Sequence, residues 1–187
     1  MAQGETLSLK ERARRIKAIV LDVDGVLTDG RLFFSADGEV LKAFHVLDGM
    51  GLALSREAGL ETAIITGRSS QIVQRRSDEL KIGHLYQGVS DKVTALTNLL
   101  EEAKLSIEEI CYVGDDINDL PLLLSVGLAC TVPNGAAEAK EAAHFITQRQ
   151  GGEGAVREII EMILKAQSKW DSLINRYKQP GCNGLCQ

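Results

Sequence analysis

The stretch Val20-Leu21-Asp22-Val23-Asp24-Gly25-Val26-Leu27-Thr28-Asp29-Gly30 decides the fold class of this chain. The apolar run that enters it, Ile16 to about Asp22, reads as a buried strand. It delivers two carboxylates, Asp22 and Asp24, where that strand ends, and Gly25 then frees the backbone to turn. In an open α/β sheet, ligands bind outside the carboxyl ends of the strands. Two acids spaced this way can share one metal and divide nucleophile and acid/base duties between them. Taken alone, Asp-x-Asp reads equally well as a solvated turn.

Outward from this stretch, strands and helices alternate. Asp37-Gly38 between the apolar segments Arg31–Ser35 and Glu39–Phe44 predicts a β-hairpin flap over about 31–44. Asp48 is placed to cap a helix running to about Ala58 and closed by Gly59. Glu61–Thr66 reads as a second strand, followed by a helix over about 70–80, a short strand near Leu85 and Tyr86, and a helix opened by Ser90. Ile110–Val113 is a further buried strand, ending in Gly114-Asp115-Asp116-Ile117-Asn118-Asp119. After it come a short helix from Leu120, strands at Leu128–Val132 and His144–Thr147, and a helix between them. A final helix begins near Gly154, its apolar stripe of Val156, Ile159, Ile160, Ile163 and Leu164 continuing loosely through Trp170, Ile174 and Tyr177. This alternation predicts an α/β fold with a Rossmann-like parallel sheet, helices on both faces and no large cap domain. The 187 residues read as a single domain with a C-terminal helix and mobile tail over about 154–187.

Composition narrows the function classes. A net charge of −5 argues against nucleic acid as a partner, because a phosphate backbone demands a basic surface. No apolar run approaches the roughly 18 residues of a membrane helix, and the polar start of the chain is not a secretory signal, so the expected location is cytoplasmic, with no membrane partner. Cys111 and Cys130 lie in strand-like apolar runs and read as core residues. Cys182 and Cys186 cannot by themselves complete a four-ligand zinc site.

The strand ends carry the chemistry. Asp22 is the candidate nucleophile, since a carboxylate that attacks phosphorus splits hydrolysis into two easier steps through an acyl phosphate. Asp24 is the candidate acid/base. Asp115 can complete a hard-oxygen site suited to Mg²⁺ together with Asp22 and Asp24. Thr66, the Gly67 amide and Lys92 can stabilise phosphate oxygens. Each has a plainer reading by itself: Thr66 a strand-end cap, Lys92 a solvated helix residue, Gly114-Asp115-Asp116 a turn, Asp119 a helix-start residue. Their occurrence together, in this order and each at a strand end or helix start, favours a site. His84 and His144 have no carboxylate nearby in sequence and read as structural.

As a set, Asp22-Val23-Asp24, Thr66-Gly67-Arg68, Lys92 and Gly114-Asp115-Asp116-Ile117-Asn118-Asp119 resemble the four motifs of the haloacid dehalogenase superfamily over about residues 16–150. That resemblance implies Asp22 as nucleophile, Asp24 as acid/base, and Mg²⁺ held by the Asp22 carboxylate, the Asp24 main-chain carbonyl and Asp115. Leu41–Gly49 and Gly151-Gly152-Glu153-Gly154-Ala155-Val156-Arg157-Glu158 are similar to segments of a narrower family, the 3-deoxy-D-manno-octulosonate 8-phosphate phosphatases of lipopolysaccharide inner-core synthesis. The narrower resemblance implies a homotetramer in which hairpins pack together and neighbouring subunits help close each site. It implies a phosphorylated sugar acid as substrate, met by His45, Val46, Leu47, Asp48 and Gly49, by Arg68 and Arg76, and by Lys92, with Arg157 near a neighbour's site. His45 and Leu47 replace the Asn and Arg frequent in that family, and Ala53 stands where some members carry another Arg, leaving fewer cations to face the sugar acid's carboxylate. A phosphatase for a sialic-type nonulosonate 9-phosphate or for broader sugar phosphates, and a non-catalytic oligomerisation or binding module, remain the alternatives.

Overall fold

The computed structural model describes residues 7–179. Its centre is the strand β1 (Ala18–Leu21), buried throughout. Residues Ala18 and Val20 enter one apolar cluster and Ile19 and Leu21 the other, as expected for a parallel strand covered on both faces. The hairpin strands β2 (Phe33–Ser35) and β3 (Gly38–Leu41) follow. Then come α2 (Val46–Glu57), after the short N-terminal α1 (Leu9–Arg15), and β4 (Glu61–Thr66), α3 (Gln71–Leu80), β5 (His84–Gln87) and α4 (Lys92–Ala103). The chain continues through β6 (Ile110–Val113), α5 (Leu120–Leu123), β7 (Leu128–Thr131), α6 (Ala137–Ala142) and β8 (Phe145–Ile146), and closes with α7 (Ala155–Ala166) and α8 (Trp170–Tyr177).

Six strands pair in the order β5-β4-β1-β6-β7-β8, all parallel. The chain winds from β1 outward to β5, then returns to β6 on the other side of β1. That reversal opens a crevice at the carboxyl edge beside β1. Register levels the three central strands there: Leu21 pairs with both Ile64 and Val113. The residues that follow each strand therefore leave the sheet side by side. On one face α2 and α7 pack together through Leu52, Val156, Ile160 and Ile163; on the other, α4 and α5 bury Leu96, Leu99, Leu122 and Leu123.

Several local expectations are corrected. α2 is capped by His45, whose Nδ1 accepts from Leu47 N at 3.2 Å; Asp48 lies inside the first turn and instead accepts at 2.8 Å from Arg157 N on α7. The hairpin reverses at Ala36-Asp37, with Gly38 opening β3 at φ +119°. The last helical stretch is two helices, broken where Ser168 takes φ +57°. Trp170 still packs back on α7, beneath the Arg157 and Lys165 cations, each 5.2 Å from its ring. His84 does meet a carboxylate, Glu102 at 3.2 Å, and Tyr86 donates to the same oxygen. His144 Nδ1 accepts from Ala129 N. Cys111 and Cys130 are buried free thiols, as their surroundings in sequence suggested. Cys182, Cys186 and the rest of the tail lie outside the described residues.

Candidate active site

Asp22 follows β1 directly and is held from both sides. Its Oδ1 accepts from Val23 N at 2.6 Å and its Oδ2 from Lys92 Nζ at 2.7 Å. Lys92 starts α4 behind the cap Asp91, and from the α4 face its side chain reaches under the sheet edge. There it also donates to Asp119 Oδ1 at 2.6 Å. Burial alone would lower the Lys92 pKa, but Asp22 and Asp119 outweigh it, so the ammonium stays charged. Burial pushes Asp22 up, with Lys92 opposing.

Asp119 is fully buried and fully engaged. Oδ1 accepts from Lys92 and from Tyr112 Oη at 2.5 Å, while Oδ2 accepts from the backbone N–H groups of Asp115 and Asp116 at 2.9 and 3.1 Å. It therefore ties the acidic loop to the lysine. Tyr112 went unremarked in the sequence, although strand alternation places it with Val20 on the α4 face. Gly25 makes the close approach possible: at φ +87°, a Cβ there would sit 2.0 Å from Asp115 Oδ2. The Gly151-Gly152 segment braces the same turn, with Gly152 N donating to Val26 O at 3.0 Å.

Carboxylate oxygens of Asp22, Asp115 and Asp119 lie within 4.8 Å of one another. Unlike the other two, the Asp115 carboxylate receives no hydrogen bond from any described residue. Burial first, and then the charges of Asp119, Asp22 and Asp116, raise its pKa to about 7. A half-buried acid facing two others with no protein donor of its own among the described residues fits a hard divalent cation, and Mg²⁺ takes such oxygen ligands. With its lone pairs committed to four protein donors, Asp119 acts beside that site by orienting the loop.

A cleft of about 250 Å³ opens above, lined by Asp22, Asp24, Gly30, Thr66, Gly67, Arg68, Asp115, Asp116 and Asn118. Asp24 points toward the hairpin. Its Oδ1 meets Lys42 Nζ at 2.5 Å and its Oδ2 faces Arg68 Nε at 3.7 Å. Lys42, a residue the sequence did not single out, also pairs with Glu39 at 3.0 Å. Burial alone would raise Glu39; hydrogen bonds from Ser70 and Lys42 bring it below the usual carboxylate range.

The other expected binding residues sit elsewhere. Val46 and Leu47 are exposed. His45, Asp48, Gly49 and Arg76 line a separate, nearly closed void beside α3. In it Asp48 Oδ2 and Arg76 Nε have no partner among the described residues, and burial raises the Asp48 pKa. Arg157 is turned to Glu161 and Trp170 of its own chain. Within one chain, then, the structure gathers Asp22, Asp24, Thr66, Gly67, Arg68, Lys92 and Asp115, and leaves the 45–49 segment and Arg76 apart from them.

Fold and site together define the class: a Rossmann-like α/β protein with a carboxylate-rich, cation-accepting centre at the switch point of its sheet. The chain belongs to the haloacid dehalogenase-like hydrolase family, which matches residues 63–160. It is 43% identical over 160 residues to the 3-deoxy-D-manno-octulosonate 8-phosphate phosphatase KdsC of Escherichia coli strain K12, covering 86% of this chain and 85% of that relative. Two solved structures are similar. The Moraxella catarrhalis 3-deoxy-D-manno-octulosonate 8-phosphate phosphatase, in complex with magnesium ion, phosphate ion and KDO, has TM-score 0.88 and 42% identity over 91% of this chain and 98% of that one. A probable YrbI family phosphatase of Pseudomonas syringae has TM-score 0.89 and 48% identity, over 91% and 97%.

Proposed function

We propose that this chain is a Mg²⁺-dependent phosphatase that hydrolyses 3-deoxy-D-manno-octulosonate 8-phosphate to the free sugar acid and phosphate. The observation that carries this is the convergence of the Asp22 and Asp115 carboxylates, the latter without a protein donor, over a lysine clamped between Asp22 and Asp119. Such a clamp serves chemistry at Asp22; a binding module that merely kept the fold has no use for a half-buried, cation-hungry acid beside it. The names of the Escherichia coli and Moraxella catarrhalis relatives supply the substrate.

Asp22 attacks phosphorus, forming an acyl phosphate as the bond to the sugar oxygen breaks. Asp24 gives its proton to the departing alkoxide, then takes one from the water that attacks the acyl phosphate, which releases phosphate and restores the Asp22 carboxylate. The Asp22 carboxylate, the Asp24 main-chain carbonyl and Asp115 hold Mg²⁺, whose charge lets an anionic nucleophile meet an anionic phosphate. Lys92, fixed at 2.7 Å from Asp22, keeps the nucleophile in one rotamer. Thr66, the Gly67 amide and Arg68 line the cleft where phosphate oxygens sit.

The working unit is a homotetramer in the cytoplasm, with the catalytic domain formed by the whole chain. Support for assembly comes from the apolar hairpin face, where Leu32, Phe33, Phe34, Val40 and Leu41 are all exposed. A neighbour seated there brings a second surface toward the cleft. No described helix is long and apolar enough to cross a membrane.

The test compares kcat/KM for 3-deoxy-D-manno-octulosonate 8-phosphate, a nonulosonate 9-phosphate and simple sugar phosphates. The eight-carbon acid is expected to lead by about 100-fold, the scale that a few polar contacts provide. Equal values for all three remove the assignment, and a lead for the nonulosonate moves it to the sialic-type acids.

A further inference from the structure

The geometry points to Lys42 as a positioning residue that latches the hairpin to Asp24 and fixes the direction of that carboxylate. The inference rests on the reading of Asp24 as the acid/base.

Lys42 lies just past β3, at the foot of a hairpin whose residues are mostly exposed, yet its own side chain is only 1% exposed. Burying an ammonium is costly unless carboxylates meet it. Here two do, from different parts of the chain: Asp24 from the turn after β1, and Glu39 from β3. Ser70, the cap of α3, donates to Glu39 and so joins a third element. On the far side Arg68 faces the other oxygen of Asp24, and its guanidinium lies 5.8 Å from the ring of Phe34 on β2. The contacts form a closed circuit that leaves the hairpin through Lys42, passes Asp24 and Arg68, and returns at Phe34.

A two-stranded hairpin is marginal in water by itself, and β2 and β3 pair only with each other. Its order must come from what it is tied to, and Lys42 is its buried tie. The same tie acts on Asp24. Although the turn that carries it is buried, that carboxylate is held only by side-chain cations: no backbone N–H of a described residue bonds to either oxygen. With Oδ1 fixed by Lys42, its second oxygen stays turned toward Arg68 and the cleft. Hairpin order and acid/base direction are thus one variable in this chain.

The experiment uses the full-length enzyme with saturating Mg²⁺. Lys42→Met keeps the stem and removes the charge; Lys42→Arg keeps the charge; Asp24→Ala removes the partner. For Lys42→Met, kcat is expected to fall roughly 10- to 100-fold, the scale of a misdirected catalytic group, with KM changed by less than about threefold, and Lys42→Arg is expected to recover part of kcat. Amide hydrogen exchange over residues 33–41 is expected to quicken about tenfold in both Lys42→Met and Asp24→Ala. The double variant is expected to exchange no faster than either single one. An active wild type whose kcat survives Lys42→Met overturns the inference. So does unchanged exchange in either single variant, or exchange that adds in the double. A wild type that releases no phosphate from any monoester overturns the reading of the site instead, while the exchange comparison still decides whether Lys42 ties the hairpin to Asp24. Should Lys42→Met fail to fold, exchange over residues 33–41 in Asp24→Ala decides the question: quickened exchange supports the tie and unchanged exchange overturns it, with Lys42→Arg expected to keep exchange near wild type and to retain part of kcat.

Discussion

Around Asp22, nearly every polar atom is fixed by groups that leave the sheet edge or start a helix: Val23 N, Lys92, Tyr112 and the two loop amides that converge on Asp119. A dozen residues along, the hairpin offers Phe34 at 58% and Val40 at 56% exposure, and among the described residues its two strands pair only with each other. The first region is complete within one chain; the second leaves an apolar face that no described residue covers. The exposed face of the hairpin can therefore be changed without touching the acidic centre, whereas its foot at Lys42 is tied to Asp24 and so to the chemistry.

The largest effect is expected at the nucleophile. Asp22→Asn keeps the side chain's shape and its acceptor for Val23 N but cannot form the acyl phosphate, so kcat falls by about 10⁴-fold or more. Circular dichroism and melting are expected to stay those of a folded protein. Phosphate release by the variant at even a hundredth of the wild-type rate takes Asp22 out of the mechanism. Next is Lys92→Met. It leaves two buried carboxylates uncompensated, at a cost of about 3–5 kcal/mol, so the melting temperature drops and turnover falls with it. Unlike changes on the exposed hairpin face, this one harms stability and chemistry together, and denaturant titration measures the first independently.

Cation removal gives a third, pH-graded effect. With its pKa raised to about 7, Asp115 keeps a proton in the folded protein that the unfolded chain has already released near pH 4. Its contribution to the metal-free protein is therefore greatest below about pH 4 and is lost as pH rises toward 7. Mg²⁺ needs the deprotonated acid, so its binding strengthens over the same interval. The rise in melting temperature on adding Mg²⁺ is accordingly expected to grow from pH 5.5 to pH 8 and then level. A shift independent of pH separates Asp115 from the cation. Chelation is expected to abolish turnover and added Mg²⁺ to restore it, as a phosphate-release assay checks; turnover indifferent to the chelator excludes the metal's role.

Much of this was legible in the sequence, and the parts that were not share a cause. Strand-end acids are visible because a parallel strand is short, apolar and abruptly ended: Glu61–Thr66 and Ile110–Val113 have the same bounds in both readings. Asp22, Asp24, Thr66, Lys92 and Asp115 followed from the rule that such ends converge. Lys42 and the saturation of Asp119 did not, because both are set by tertiary packing of segments far apart in the chain, where no local period speaks. The Asp48 cap failed for the same reason: α7 offered it a backbone N–H, and His45 took its place. Arg76 and the 45–49 segment came from resemblance alone, and resemblance carries no information about which copy of the chain a residue serves.

That last point defines the smallest and most discriminating prediction. Val40→Lys puts a charge in the middle of the exposed hairpin face and touches nothing in the acidic centre. A surface change of this kind costs a single chain no more than about 0.5 kcal/mol, so the melting of the isolated subunit barely moves. Assembly is another matter, since a lysine on an edge strand opposes strand-to-strand contact. Sedimentation is expected to show a smaller particle than the wild type. Hydrolysis of a simple aryl phosphate, which needs only the acidic centre, is expected to stay within a few-fold, whereas KM for the sugar acid phosphate rises about tenfold as the neighbour's surface is withdrawn. If both substrates suffer equally, the hairpin serves the chemistry directly and the separation drawn between the two regions is wrong; if neither suffers while the particle shrinks, assembly has no part in recognising the sugar.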